Sequence, residues 1–263
     1  MLSLSHTEIL LARAGSPLDE ITLVGGQALN YWANAFFAPK DPYVSKDIDF
    51  LGSAVDAIEC ATAWNARTPL LADIDRSMGS PNTALVLIEN PRHFFKDPRL
   101  EDKPLPIDFL GGILGLSTTE ILKSRVKVQH GRAEFWVMNP YHCLISRLST
   151  YYVLGRQNET DIERLRLAVH VVGAALQKFL EGEASGRRAA LNIAKDLFSD
   201  AKQSPALRAF TKHGVDILTP ILNNLVGYPD DFRVKHYPRE LLKIDNKRNL
   251  YRQLTQAPPP PER

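Results

Sequence analysis

The β-strand signal in this 263-residue chain ends at one point, and that point divides the sequence into two unlike parts. Before Asn139-Pro140, short apolar runs alternate with helical patterns. After it, every long segment has the spacing of apolar residues that is typical of amphipathic helices. We therefore predict an α+β chain with an α+β domain over residues 1–138 and an all-helical domain over residues 139–255. Residues 256–263 are proline-rich and are predicted to be a disordered tail.

Periodicity also predicts the individual elements. In the first part, helices are predicted at residues 5–14, 27–37 and 54–66. Strands are predicted at residues 21–24, 47–51, 83–89 and 105–110. A loop is predicted at residues 90–104, and a hairpin at residues 121–129 and 133–138 with His130-Gly131 as its turn. In the second part, helices are predicted at residues 141–154, 159–180, 186–200, 204–214 and 216–226.

Charge and cysteine content restrict the classes of protein to consider. The formal net charge of +2 is too small to hold nucleic acid by bulk attraction. Cys60 and Cys143 are the only cysteines and lie far apart, which fits a reducing cytoplasm rather than a disulfide framework. The first residues lack the pattern of a signal peptide, and no apolar run approaches the roughly 20 residues of a membrane helix. We expect a cytoplasmic protein with no membrane partner.

Two short stretches carry chemistry. The run from Leu23 to Leu29 is β-like, breaks at Gly25-Gly26 and enters an apolar helical pattern. Such a turn exposes backbone N–H groups at a helix N-terminus, which favours phosphate groups. The second stretch places Asp47 and Asp49 at alternate positions, so that on a strand both would point to one face. Neighbouring carboxylates repel each other unless a cation lies between them.

A third carboxylate occurs in the same local setting. Asp108, like Asp49, belongs to an Ile-Asp-Phe-Leu tetrapeptide in a strand-like run. If the two strands lie close in one sheet, three carboxylates converge. Carboxylate oxygens with open coordination positions suit Mg²⁺ or Mn²⁺, which share their other positions with water and substrate phosphates. The sequence therefore predicts a divalent-metal site beside a glycine turn that admits phosphates.

This order of motifs resembles the nucleotidyltransferase superfamily, which has the DNA polymerase β-like fold. The matching positions are Val24-Gly25-Gly26, then Asp47-Ile48-Asp49-Phe50, then Asp108. Within the superfamily, residues 20–52 look like the branch of abortive-infection type toxin nucleotidyltransferases. The spacing between Gly26 and Asp47 is longer than is usual there. The Arg-x-Thr that usually precedes the first aspartate is replaced by Val44-Ser45-Lys46.

The resemblance implies a short mixed sheet with flanking helices followed by a helical substrate-positioning domain. It also implies transfer of a nucleoside monophosphate from an NTP to a hydroxyl of RNA (tRNA) or protein, with release of pyrophosphate. Asp47 and Asp49 would bind both metal ions, and Asp108 would hold the catalytic one and help to activate the acceptor. A toxin of this kind can have an antitoxin protein as its partner.

Several further residues are candidates for substrate contacts. Gly25, Gly26, Ser45 and Lys46 are expected near the NTP. By the same resemblance, Arg147 is the candidate for a basic helix residue that faces the phosphates, and Asp161 is a second candidate on the next helix. Arg suits phosphate because its planar fork donates two parallel hydrogen bonds. The alternative is that Arg147 is a solvated helix residue and Asp161 a first-turn partner of the helix dipole.

Three other interpretations stay open. The protein could keep the fold without catalysis and act as a nucleotide- or partner-binding protein. Arg164 and His170 could form an RNA-cleaving pair, although a partly buried structural histidine is the simpler interpretation. The C-terminal segment could hold RNA through basic residues interleaved with aromatic ones, or could be a solvated helix face. Its basic residues are Arg233, Lys235, His236, Arg239, Lys243, Lys247 and Arg248, and its aromatic residues are Phe232, Tyr237 and Tyr251.

Overall fold

The computed structural model describes residues 2–15, 19–40, 43–71 and 82–256. The chain divides into two compact units, Met1–Ser146 and Arg147–Arg263. The predicted boundary after residue 138 lies eight residues before this division. The division falls within a helix, α6 (Pro140–Val153), which belongs to both units. The predicted tail, apart from its first residue, lies outside the described residues.

The first unit combines helices with strands. Its helices are α1 (Leu4–Ala14), α2 (Gly25–Phe37), α3 (Ala54–Ala63), α4 (Pro91–Phe95), α5 (Thr118–Ser124) and the start of α6. Its strands are β1 (Thr22–Val24), β2 (Ile48–Leu51), β3 (Leu70–Leu71), β4 (Asn82–Ile88), β5 (Leu105–Leu110), β6 (Val126–His130) and β7 (Ala133–Val137).

In the described residues, the seven strands form one mixed sheet in the order β3-β4-β5-β2-β1-β7-β6. β2 and β5 run parallel at its centre, and β1 lies antiparallel to β2. β1 and β7 are also parallel, and the other pairs are antiparallel. Parallel neighbours need long connections, and here each connection contains both helices and strands of the same sheet. The coarse expectation of an α+β fold is confirmed.

Alternating apolar side chains place the core of this unit on one face of the two central strands. Ile48 and Phe50 of β2 are completely buried, and so are Ile107 and Phe109 of β5. Their aromatic rings pack against Trp64, which follows α3, with ring centroids 6.4 Å and 6.2 Å away. A strand sends successive side chains to opposite faces, so the residues between these core positions point away from Trp64.

The structure corrects three local predictions. α2 begins at Gly25 rather than after the glycine pair, because Gly25 adopts a left-handed φ of 63° directly after β1. The predicted loop at residues 90–104 contains α4, where Asn90 Oδ1 accepts a hydrogen bond from the His93 N–H and Pro91 opens the first turn.

The third correction concerns the predicted hairpin. Its first strand begins at Val126 rather than residue 121, because the preceding residues form α5. Ser124 Oγ in the last turn of α5 donates to the carbonyl of Glu120 at 2.7 Å, and Arg125 leaves the helix in an extended conformation. The turn lies at residues 131–132, one position later than predicted.

The described part of the second unit is helical. After α6 it contains α7 (Glu159–Glu181), α8 (Ala184–Asp200), α9 (Ser204–His213), α10 (Thr219–Asn223) and α11 (Tyr237–Gln256). The predicted helix at residues 216–226 is shorter than expected, because only α10 and one 3₁₀ turn (Leu225–Gly227) form there. A π-helical turn at Phe232–His236 leads into α11. Within the described ranges, no helix combines the length and apolar character that spanning a membrane requires.

The long helix α7 carries the core of this unit. Its apolar side chains recur at helical spacing, and Leu165, Ala168 and Leu176 are almost completely buried. α7 packs against α8 and α10, and α11 packs against α8 and α9. Arg248 of α11 is also buried, with its guanidinium carbon 3.8 Å above the ring centroid of Phe210 in α9. The buried Arg248 side chain therefore connects α11 with α9.

Candidate functional site

Asp49 and Asp108 occupy equivalent positions on the two central strands. Parallel pairing of β2 with β5 sets Asp49 directly beside Asp108, as it sets Ile48 beside Ile107. Neighbouring strands lie about 4.8 Å apart, and paired residues point to the same face. Both aspartates are half-buried, and both alternate with the buried core residues. The two carboxylates therefore share the face of the sheet opposite Trp64.

Gly25 lies against the side chain of Asp49. β1 pairs antiparallel with β2 and sets Val24 beside Asp49, so that the first residue of α2 lies next to that carboxylate. A Cβ atom added to Gly25 would lie 2.0 Å from Asp49 Oδ2 and 2.9 Å from its Cγ. Only glycine accommodates both this approach and the left-handed φ. Glycine is thus required at position 25 because Asp49 approaches it so closely, whether or not a phosphate binds there.

Asp108 is held by a residue that the sequence did not single out. Asn82 Nδ2, at the start of β4, donates a hydrogen bond of 3.1 Å to Asp108 Oδ1. β4 pairs with the outer side of β5, and its register shifts between Asn82 and Ala84. The one signal in the sequence is a polar residue at the start of a strand-like run. That run does not indicate which strand β4 joins.

Electrostatics connect Asp47 with Asp108. The pKa of Asp108 is raised above its ordinary value, mainly because the side chain is partly buried and secondly because the charge of Asp47 acts on it. The hydrogen bond from Asn82 opposes this shift. Asp47 itself is exposed and lies immediately before β2, so the strand predicted over residues 47–51 begins one residue later and does not include Asp47. Repulsion between two like charges of this kind is relieved by a cation between them.

The residues before Asp47 have unequal exposure. Lys46 is exposed, whereas Ser45 is 5% exposed and its backbone pairs with Leu2 through two hydrogen bonds of 2.7 Å and 3.0 Å. Lys46 and Asp47 line a cavity of about 350 Å³ whose apolar wall includes Leu2 and Pro106. The exposed Lys46, rather than the covered hydroxyl of Ser45, is therefore the group that can meet a ligand from solvent.

The other candidates lie in the second unit. Arg147 is half-buried in α6. Asp161 lies in the first turn of α7, and its N–H donates to Asn158 Oδ1 at 2.9 Å. Asn158 is thus the N-cap, and the Asp161 carboxylate has the position in which a helix dipole favours an acid.

The alternative pair on α7 does not share a face of that helix. Residues six apart are separated by about 120° around a helix axis, so Arg164 and His170 point in different directions. Arg164 is half-buried and His170 is exposed. The interpretation of His170 as a partly buried structural residue is wrong, because it falls on the outer surface of α7. The geometry does not favour joint action of the two residues on one phosphodiester.

The donors on the carboxylate face match the chemistry of a hard divalent cation. Asp47, Asp49 and Asp108 offer only oxygen atoms, which Mg²⁺ and Mn²⁺ prefer. Gly25 leaves the space that the Asp49 carboxylate occupies. Within the described ranges, no three His, Cys, Asp or Glu side chains are drawn together as a complete metal site. The three carboxylates therefore match such a cation in ligand type, although the described residues do not bring them together as a complete three-carboxylate site.

No family model matches the chain, and no curated protein matches it.

Proposed function

We propose that this protein is a metal-dependent nucleotidyltransferase whose reaction takes place at Asp47, Asp49 and Asp108. The observation that carries the proposal is the register of β2 and β5, which sets Asp49 beside Asp108 next to Gly25 at the start of α2. Asp47 supports it because its charge acts on Asp108. The sequence resemblance supplies the reaction class.

Each residue of the site then has a role. Asp47 and Asp49 would hold two Mg²⁺ or Mn²⁺ ions, and Asp108 would hold one of them. When bound, the ions neutralise the phosphate oxygens and lower the pKa of the acceptor hydroxyl. Asn82 keeps the Asp108 carboxylate in orientation through its hydrogen bond. Lys46 and the backbone N–H groups at the start of α2 would bind phosphate oxygens of the NTP.

The proposed transfer is an in-line displacement at the α-phosphorus of the NTP. The acceptor hydroxyl oxygen forms a bond to the α-phosphorus of the NTP, and the bond from that phosphorus to the bridging oxygen breaks. Pyrophosphate leaves, and the hydroxyl proton passes to Asp108. By the resemblance, the acceptor would be a tRNA or protein hydroxyl, and the protein would act as the toxin of a toxin–antitoxin or phage-defence system in the cytoplasm.

Incubation with α-labelled NTPs and Mg²⁺ or Mn²⁺ tests the proposal. We expect label on RNA, on an acceptor protein or on the enzyme itself, and loss of that label in Asp47→Asn and Asp49→Asn. Asp19→Asn is the matched control, because Asp19 is an exposed carboxylate of the same unit. Equal labelling by the wild type and both site variants would overturn the proposal.

A second experiment identifies the acceptor among all the RNA and protein of a cell. After brief expression, mass spectrometry of total RNA and protein should find one species that has gained the mass of a nucleoside monophosphate. Expression of Asp49→Asn should leave that species unmodified. The rival function, a non-catalytic binding protein on the same fold, predicts no added mass in either sample. Calorimetry separates the two further, because the absence of Mg-NTP binding favours a scaffold that acts through a partner.

A further inference from the structure

A second cavity of the first unit lies on the other face of the sheet from the carboxylates. It has a volume of about 610 Å³, and its walls include Arg13, Trp64, Arg67, Ile88, Phe94 and Lys96. Ile88 pairs with Leu105, which shares a face with Ile107 and Phe109, and the Phe109 ring packs against Trp64. Asp108 alternates with these residues and points the other way. This cavity, the β4–α4 pocket, is therefore separate from the proposed catalytic face.

The inner wall of the β4–α4 pocket is apolar. Trp64 and Ile88 are each 3% exposed, and Phe94 is 9% exposed. The Trp64 indole N–H is already used, since it donates to the carbonyl of Leu10 at 2.9 Å. Two aromatic rings and an aliphatic side chain thus line the inner wall, each presenting a small part of its surface to the cavity. Such a surface favours a flat, weakly polar body over a small hydrated ion.

The rim of the pocket is basic. Arg67 pairs with Glu89 at 3.1 Å, which neutralises one cation. In the described part of the chain, Arg13 and Lys96 form no ion pair with a carboxylate, and both are exposed. The guanidinium carbon of Arg13 lies 4.1 Å from the centroid of the Phe94 ring. Stacking on a ring fixes the guanidinium plane and leaves its N–H edge to donate to an anion.

We propose that the β4–α4 pocket binds an organic phosphate of nucleotide size, with its ring at the apolar wall beside Trp64 and Ile88 and its phosphate between Arg13 and Lys96. Cations without acidic partners, next to a buried aromatic wall, match a ligand that is anionic at one end and flat at the other. The ligand can be a free nucleotide or one nucleotide of an RNA strand. The assignment does not depend on the proposed transferase reaction.

Calorimetry in EDTA tests the site separately from the carboxylates. The protein carries Asp47→Asn and Asp108→Asn, and the probes are ADP, inorganic pyrophosphate, adenosine and a short oligoadenylate. We expect ADP to bind at least about tenfold more tightly than pyrophosphate or adenosine, because only ADP uses both the wall and the rim. Binding of the oligoadenylate more tightly than ADP identifies RNA as the source, and weaker binding identifies the free nucleotide.

Substitutions at the rim locate the binding. Arg13→Gln and Lys96→Gln should each raise the Kd for ADP about tenfold, as expected for loss of one charge-assisted hydrogen bond. Lys123→Gln, at an exposed lysine of α5, is the matched control and should leave the Kd unchanged. Lys96 is exposed, so its variant tests the site even if Arg13→Gln weakens the packing on Phe94.

Three results would overturn the assignment. They are the absence of ADP binding at low ionic strength, an equal Kd for ADP and pyrophosphate, and an unchanged Kd in Lys96→Gln. Nucleotide transfer that persists in the otherwise wild-type Asp49→Asn enzyme would overturn only the proposed function, because the β4–α4 pocket does not include the carboxylates.

Discussion

At the scale of single residues, Gly25 combines two requirements that only glycine meets. Its left-handed φ and the 2.0 Å that would separate an added Cβ from Asp49 Oδ2 both exclude a side chain. The backbone of Asp49 cannot shift within the sheet, because it pairs with β1 on one side and with β5 on the other. The position of Asp49 and the identity of residue 25 are therefore coupled.

Gly25→Ala should destabilise the protein by roughly 1–3 kcal/mol through the backbone alone, with the contact to Asp49 adding to this cost. Urea unfolding followed by circular dichroism measures the effect. Adding Asp49→Ala should recover part of the lost stability, because it removes the atoms that the new Cβ would meet. If the double variant is no more stable than Gly25→Ala, then Asp49 does not lie where the structure has it.

Asn82 offers a second prediction at this scale. Asn82→Ala should lower the kcat of nucleotide transfer roughly tenfold or more, because Asp108 loses the hydrogen bond that orients it. The KM for NTP should change little, since Asn82 would not bind the nucleotide. Steady-state transfer kinetics give both constants, with Asn246→Ala on the exposed side of α11 as the control. A raised KM at unchanged kcat would argue against a positioning role.

At the scale of elements, hydrogen bonds to a buried imidazole fix the start of α1. The Ser3 N–H donates to His6 Nδ1 at 2.9 Å, and His6 Nε2 lies 3.1 Å from Asp97 Oδ2 in the loop after α4. Burial lowers the pKa of His6 more than Asp97 raises it. Burial also lowers the pKa of His142 in α6. Both side chains therefore take up a proton less readily in the folded protein than in the unfolded chain.

The protein should accordingly lose stability on acidification. The unfolded histidines bind protons as the pH falls through about 6.5, whereas the folded ones take them up only at lower pH. The free energy of unfolding therefore decreases as the pH falls below about 6.5. The stabilising contribution of these histidines is fully present above that pH. Thermal melts between pH 5 and pH 8 should show this dependence.

Matched variants distinguish the effect of a buried histidine on the pH dependence of stability from that of an exposed one. His6→Gln should flatten part of the pH dependence, because glutamine can still accept the Ser3 N–H at this capping position but does not titrate. His170→Gln, at an exposed histidine, should leave the curve unchanged. A slope of the opposite sign, with stability rising as the pH falls from 7 to 5.5, would contradict the account.

In the second unit, the buried Arg248 leads to a prediction about the stability of α11. Its guanidinium pairs with Asp216 and with Asp245 and lies over Phe210. Arg248→Met should destabilise this unit by about 3 kcal/mol, because Asp216 loses its partner in a partly buried place. Lys247→Met, at the exposed neighbour, should cost less than about 0.5 kcal/mol. Guanidinium unfolding that finds equal losses in the two variants would contradict a structural role for Arg248.

Local pattern is sufficient to predict some elements and insufficient for others. The alternation Ile-Asp-Phe predicts β2 and β5, because each strand carries its own evidence of one buried face. It does not predict α4 and α5, because each is short and its capping residue, Asn90 or Ser117, is equally typical of a loop. β3 has two residues, too few for any periodicity.

At the scale of the whole molecule, what could not be predicted from the sequence is which strands become neighbours. That Asp49 pairs with Asp108 depends on a parallel contact between strands almost 60 positions apart, which no local pattern encodes. The hydrogen bond from Asn82 depends in turn on β4 joining the outer side of β5. The separation of the β4–α4 pocket from the carboxylate face follows from the same strand order. The sequence identifies the residues suited to the site, but it does not show which of them lie next to each other in the sheet.

The central claim is that Asp49 and Asp108 hold a divalent cation together with an NTP. Titration of the protein with Mn²⁺ in the presence of a non-hydrolysable NTP, followed by the electron paramagnetic resonance of free Mn²⁺, tests this most directly. We expect saturable binding by the wild type and by Asp19→Asn, and a Kd at least about tenfold higher in Asp49→Asn and in Asp108→Asn. Equal Mn²⁺ binding by all four proteins, or none by the wild type, would contradict it.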